Sequence, residues 1–197
     1  MKKHQWALAF TLPAFFVLAG CTQTPDTGNQ NEATTTTTSS AEMVLPEGFT
    51  RFDHATQGYS LAYPNDWTKQ QDEASGVTGF ISPSEGEEDF TENVNIVAEA
   101  TGGQTITLDQ YTQQSLEQLD KILPGASIEE STPTTLAGLP AHRVIYSGST
   151  LGFNLKWMQI WTLSDTSAYV LTYTATQDAF DTYRSAVDQI VTTFSLQ

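Results

Sequence analysis

Cysteine, histidine and positive charge are all scarce in this chain. Of its 197 residues one is cysteine, three are histidine and 8 are lysine or arginine, against 23 aspartate or glutamate. A lone cysteine excludes an internal disulfide and any zinc site built from several thiolates. A formal charge of −15 argues against nucleic acid or anionic lipid headgroups as direct partners, because recognition of phosphate rests on lysine and arginine. Long apolar runs are missing too. The longest, Trp6 to Leu18, is interrupted by Thr11 and Pro13 and falls short of the ~20 residues that a membrane-spanning helix needs.

That short run has another use. Met1-Lys2-Lys3-His4 places positive charge before it, and Leu18-Ala19-Gly20-Cys21 closes it with the only cysteine of the chain. Basic start, apolar core and small residues before a cysteine make a bacterial lipobox. Residues 1–20 are expected to be a lipoprotein signal peptide, cut between Gly20 and Cys21. Cys21 then becomes the lipidated N-terminus, carrying a diacylglycerol thioether and an N-acyl chain such as palmitate, and several acyl chains make a stable anchor where one does not. Ala19-Gly20 also suits an ordinary secretory signal with an incidental cysteine. Cleavage would leave 6 cationic residues against 23 acidic ones, a formal charge of −17.

Residues 21–47 are rich in Thr, Ser, Gln, Asn, Pro and Gly, including the run Thr34 to Ser40. Such a composition cannot bury enough apolar surface to repay its ordering entropy, so the segment is expected to be a disordered tether. Residues 48–197 then form one domain, large enough to fold without staples.

Within it, Phe49-Thr50-Arg51-Phe52 and Tyr59-Ser60-Leu61-Ala62-Tyr63 alternate bulky and smaller residues around a polar stretch ending in Gly58, which predicts a hairpin. Val77–Ile81 and Val94–Ala98 predict two further strands. Thr107 and Gln110 have capping-box spacing ahead of Leu108, Tyr111, Ser115, Leu119, Ile122 and Leu123, one face of a helix that Pro124-Gly125 ends. Residues 141–147, 154–163 and 167–174 are joined by short polar loops and predict an antiparallel meander. Leu155, Trp157, Trp161 and Leu163 alternate with Met158 and Ile160, so both faces of that sheet are too apolar to meet water. Phe180, Tyr183, Val187, Ile190, Val191 and Phe194 fit a second helix, with Asp178 and Asp181 near its start. The expected fold class is α+β, a three-layer α/β/α sandwich around a central antiparallel sheet.

The order of these elements, with Gly58-Tyr59-Ser60-Leu61-Ala62-Tyr63-Pro64-Asn65-Asp66-Trp67 near the start and Leu136-Ala137-Gly138-Leu139-Pro140-Ala141 entering a strand, resembles the PsbP-like family, in particular prokaryotic PsbP-related and DcrB-like lipoproteins. The resemblance covers residues 48–197. It implies a non-catalytic, extracytoplasmic accessory domain, since photosynthetic members sit on the lumenal side of photosystem II. Physically, Pro64 ends a strand and Trp67 turns back over an open edge of the core.

The residues themselves show no catalytic constellation. There is no Gly-x-Ser-x-Gly elbow, Ser147-Gly148-Ser149 has no nearby histidine, and Gly102-Gly103 precedes a helix without the lysine of a phosphate cradle. His54 and His142 can hold zinc only if the fold pairs them with carboxylates. Glu85, Glu87, Glu88, Asp89 and Glu92 crowd one loop; they suit calcium in oxygen type but match no EF-hand spacing, and a solvated loop is the plainer reading. Tyr111, Trp157 and Trp161 can line a pocket, though at these spacings they read as core. The expectation is therefore a non-enzymatic binding or assembly module, monomeric, without cofactor, held to the membrane through Cys21 and docking onto an unidentified protein partner. A small-ligand or calcium carrier is the competing class, and a photosystem II extrinsic or assembly factor is a further alternative if the source is photosynthetic.

Overall fold

The computed structural model describes residues 45–84 and 90–197. Gly20, Cys21, the Thr/Ser-rich segment up to residue 44, and Glu85, Glu87, Glu88 and Asp89 lie outside the described residues.

The expected hairpin forms. β1 (Phe49–His54) and β2 (Tyr59–Pro64) pair antiparallel, with Phe52 opposite Leu61. Gly58 has a φ of 66°, a conformation that costs glycine little, so the polar stretch ends there. The hairpin does not join the large sheet, however. The free edge of β2 is taken by β10 (Ser195–Leu196), which gives a separate three-stranded sheet in the order β1-β2-β10. This corrects the expectation of a single central sheet. The last residues after Phe194 return as a strand because the backbone edge of β2 offers them hydrogen bonds, a pairing that two residues of sequence do not announce.

The larger sheet has seven strands: β3 (Thr68–Asp72), β4 (Val77–Ile81), β5 (Asn93–Ala100), β6 (Ser127–Leu136), β7 (Leu139–Thr150), β8 (Phe153–Leu163) and β9 (Ser167–Thr176). Their order is β3-β4-β5-β9-β8-β7-β6, antiparallel throughout. The meander β7-β8-β9 is as expected. The two edge strands, β3 and β6, are additions. Thr68-Lys69-Gln70-Gln71-Asp72 is almost wholly exposed and pairs through its backbone, so it shows no apolar alternation. β6 carries Pro133 and a register shift between Ile128 and Glu130, both tolerated at an edge where one side of the strand needs no partner.

α1 (Leu108–Ile122) begins with the expected capping box: Thr107 Oγ1 accepts from the Gln110 amide, and the Gln110 side chain accepts from the Thr107 amide. It buries Tyr111, Ser115 and Leu119, whereas Ile122 stays 39% exposed, contrary to the helical-face expectation. α2 (Arg184–Thr193) is shorter than the sequence pattern suggests. Phe180 and Tyr183 precede it in turns, so Asp178 and Asp181 do not sit in its first turn, and no side chain caps its N-terminus.

The described residues form two cores. One contains Phe80, Val94, Ile96, Met158, Ile160, Leu171 and Tyr173 from one face of the large sheet, packed with Phe52, Tyr59 and Leu61 from the small sheet and Val187 and Ile190 from α2. The other contains Val144, Tyr146, Leu155, Trp157, Trp161 and Val170 from the opposite face, with Tyr111 and Leu119 from α1. Trp67 is buried in the first core, its ring 5.7 Å from that of Tyr183 and nearly perpendicular to it, as its position after the strand-ending proline suggested.

Candidate functional site

The two histidines are kept apart. The half-buried His54 ring packs 5.1 Å from that of Tyr59, at the margin of the core under α2, and its Nδ1 accepts from the Gln57 amide. His142, also half-buried, stacks at 5.6 Å on Trp161 of the other core. The zinc pair considered from sequence does not form, because His54 lies on β1 of the small sheet and His142 on β7 of the large one, against Trp161. Burial lowers the pKa of both imidazoles, so both are neutral near pH 7. Among the described residues no group of three or more His, Cys, Asp or Glu side chains is placed to hold a metal. Glu92, the one described member of the acidic loop, is 3% exposed. Its carbonyl accepts from the Ser82 amide in continuation of the β4–β5 ladder, and its charge helps burial to raise the Tyr173 phenol. It is drawn into the protein instead of facing solvent.

Tyr111, Trp157 and Trp161 are core, as their spacing indicated. Trp157 stacks on Tyr146 at 5.1 Å, the Trp161 Nε1–H donates to Thr112 Oγ1 at 2.9 Å, and the Tyr111 hydroxyl donates to Glu99 at 3.1 Å. Such partners are what buried indole and phenol groups require. Ser149 donates to the Asn154 side chain across the β7–β8 hairpin, a turn contact.

One pairing was hidden from the sequence. Ser131 Oγ lies 2.8 Å from His142 Nε2, placed there by the antiparallel β6–β7 register. A hydroxyl and a neutral imidazole at this distance are two members of a nucleophilic site. The third is missing: among the described residues no carboxylate hydrogen-bonds the other ring nitrogen, and Asp109 acts on His142 only through its charge. With no orienting carboxylate among the described residues, the pair ties edge strand β6 to its neighbour.

A different asymmetry runs along the strands. The ladder places the N-terminus of β5, the C-terminus of β9, the β7–β8 turn and the start of β6 at one end of the large sheet. The chain enters there as well, since Gly48 bonds to Asn65 just before β3 begins. α1 finishes at this end, with Leu123 against Gly148. All four exposed large apolar side chains of the described residues are found here: Leu45, 41% exposed; Ile122, 39%; Ile128, 49%; and Leu151, 61%. The opposite end consists of turns at residues 55–58, 73–76, 137–138 and 164–166 with the loop at 101–107, and has none.

A family model described as PsbP-like protein matches residues 7–196. The chain belongs to the PsbP-like family. No curated protein sequence matches it. Among solved structures, this PsbP-like chain is similar to LpqN of Mycobacterium tuberculosis, described as involved in cell envelope biogenesis, at 19% identity and a TM-score of 0.57 over 76% of this chain and 90% of that one. It is similar to cyanobacterial PsbP (CyanoP) of Synechocystis sp. PCC 6803 at 16% identity and a TM-score of 0.55 over 78% and 95%. A Pseudomonas aeruginosa protein of unknown function, PA94, described as a putative regulator, matches at 20% identity and a TM-score of 0.53 over 72% and 92%. At these identities the likeness is one of fold. Among the described residues no helix is long and apolar enough to cross a membrane.

Proposed function

We propose that this protein is an extracytoplasmic lipoprotein that serves as a non-enzymatic binding or assembly module for an envelope or membrane complex, anchored through acyl chains on Cys21. The observation that carries this reading is membership of the PsbP-like family across residues 7–196, a span that reaches back through the lipobox. The structural likeness to LpqN, whose description places it in cell envelope biogenesis, agrees with it. The acidic composition directs the domain away from nucleic acid and towards protein partners. In this reading the large antiparallel sheet is the middle of three layers, with α1 outside one face and α2 together with the small sheet outside the other.

Metabolic labelling with a fatty acid tests the anchor: wild type takes the label and Cys21→Ser does not, whereas label retained on the variant overturns lipidation at Cys21. Crosslinking in native membranes tests the module. A discrete partner that is recovered reproducibly, and is lost when α1 or α2 surface residues are changed without loss of fold, is the expected result. A chain that crosslinks to nothing counts against it.

A further inference from the structure

We propose that the chain-entry end of the domain is a bilayer-docking end, on which Leu151, Ile122 and Ile128 touch the lipid surface while the chain is held there by its tether. The inference rests on the lipid anchor at Cys21 proposed above and adds to it an orientation and a contact surface.

Leu151 and Gly152 form the two central positions of the β7–β8 turn, with φ of 52° and 85°, between the paired residues Thr150 and Phe153. Positive φ at both places suits Asn-Gly or Asp-Gly, and a bulky leucine is a costly choice. The domain repeats this geometry at its other end, where Ala137 and Gly138 have φ of 53° and 76° between the paired Leu136 and Leu139. There the non-glycine residue is small and packs against the core. Leu151 instead breaks the backbone preference and leaves 61% of its surface in water. A residue that violates two local rules with no packing gain marks a site where a contact outside the domain supplies the gain.

Ile122 and Ile128 are exposed at the same end, and the segment from Cys21 enters there, at Leu45. Taken as the coil that its composition predicts, a segment of that length has an r.m.s. span of roughly 25–30 Å, so the apolar medium nearest to these side chains is the membrane that holds the anchor. Tethering raises the effective concentration of the surface, and a contact too weak to recruit a free domain then suffices. Glu47, Asp66, Asp120, Asp178 and Asp181 are exposed near the same end and outnumber the exposed Lys121 beside Ile122, which makes a zwitterionic surface the fitting one and an anionic surface a poor one.

The experiment uses the full chain purified from bacterial membranes and reconstituted in phosphatidylcholine vesicles that carry nitroxide-labelled acyl chains. Leu151→Trp and Thr166→Trp place a reporter at the two ends, over the same buried background of Trp67, Trp157 and Trp161. The Leu151→Trp reporter should be quenched several-fold more strongly than Thr166→Trp. In an Ile122→Trp chain, adding Leu151→Asn, which suits the turn and so preserves the fold, should reduce the quenching of the 122 reporter. Equal quenching at 151 and 166 in protein that floats with the vesicles overturns the docking end while the anchor stands. Failure of the wild type to float overturns the anchor and the docking with it. A Leu151→Trp emission that shifts to the blue in native membranes and escapes quenching by labelled chains there assigns the surface to a protein partner and overturns the bilayer as its occupant.

Discussion

Phe80, Val94, Tyr173, Met158 and Ile145 lie side by side across five strands of the large sheet, and one residue along each strand, on the opposite face, stand Gly79, Asn95, Thr172, Gln159 and Val144. The first row belongs to a core of 20 buried residues under α2 and the small sheet, while the core under α1 has 10 among the described residues. In the second row Gln159 Nε2 donates to Thr172 Oγ1 at 3.1 Å, and both polar side-chain atoms of Asn95 are buried without a protein partner. The difference teaches why the register is secure. A slip by one residue would drive the amides into the apolar core and turn Phe80, Val94 and Met158 towards α1, and a period-two strand has no intermediate setting.

The comparison breaks most severely if either face is charged. Ile160 and Trp161 are neighbours on opposite faces, 3% and 2% exposed. Lysine at either site should be severely destabilising, because an unpartnered buried polar group already costs about 1–3 kcal/mol and a charge costs more. Denaturant melts of Ile160→Lys and Trp161→Lys decide this, and a silent substitution would show that its face is open.

A smaller effect is expected where α1 meets the sheet. A Cβ on Gly148 would lie 2.9 Å from Leu123 Cδ2, so Gly148→Val should cost roughly 1–3 kcal/mol by overpacking. The loss should shrink in a Leu123→Ala background, since the obstacle is the end of that side chain; equal losses in the two backgrounds would place the strain elsewhere. In the polar row the sign reverses. Asn95→Leu should raise stability by about 1 kcal/mol, because it removes a buried carboxamide with no protein partner. A melt showing a loss instead would mean that the row owes its stability to bound water.

Alkaline pH probes both cores together. Burial pushes the Tyr59 phenol up to about 12 and also raises Tyr173 in the same core and Tyr111 and Tyr146 in the other. Below the ordinary phenol pKa of about 10 these groups are protonated in both states and add no pH dependence. Above it the unfolded chain loses its protons first, so stability falls as pH rises from about 10 towards the raised folded values. Unfolding should therefore begin above pH ~10 together with a step in tyrosinate absorbance, and Tyr59→Phe should soften the fall. Tyrosinate signal from these residues while the fold persists would contradict their burial. The smallest effect is expected on truncation. Residues 22–44 hold few bulky apolar groups beyond Met43 and Val44, so a chain starting at Leu45 should keep its melting temperature, and a drop of several degrees would show that the segment packs on the domain.

Much of this architecture was open to reading in the residues. The alternation Leu155, Trp157, Trp161 against Met158, Ile160 announced a sheet buried on both faces, and Thr107 with Gln110 announced α1, because period and capping are local properties. β3 and β6 were not open to it, since edge strands are held by backbone bonds and need no apolar pattern. β10 is two residues long and exists only because β2 has an edge to offer.

The same division holds for the candidate sites. The lone cysteine at the end of an apolar run, the acidity, the helix cap and the two-faced strands could be read from the chain, since each depends only on composition or on near neighbours. Only the fold brings His54 and His142 against different cores, joins Ser131 to His142, turns Glu92 inward, and gathers Ile122, Ile128 and Leu151 at the end where the chain enters. These are contacts between residues far apart in sequence, and they follow from strand register, which no single segment contains.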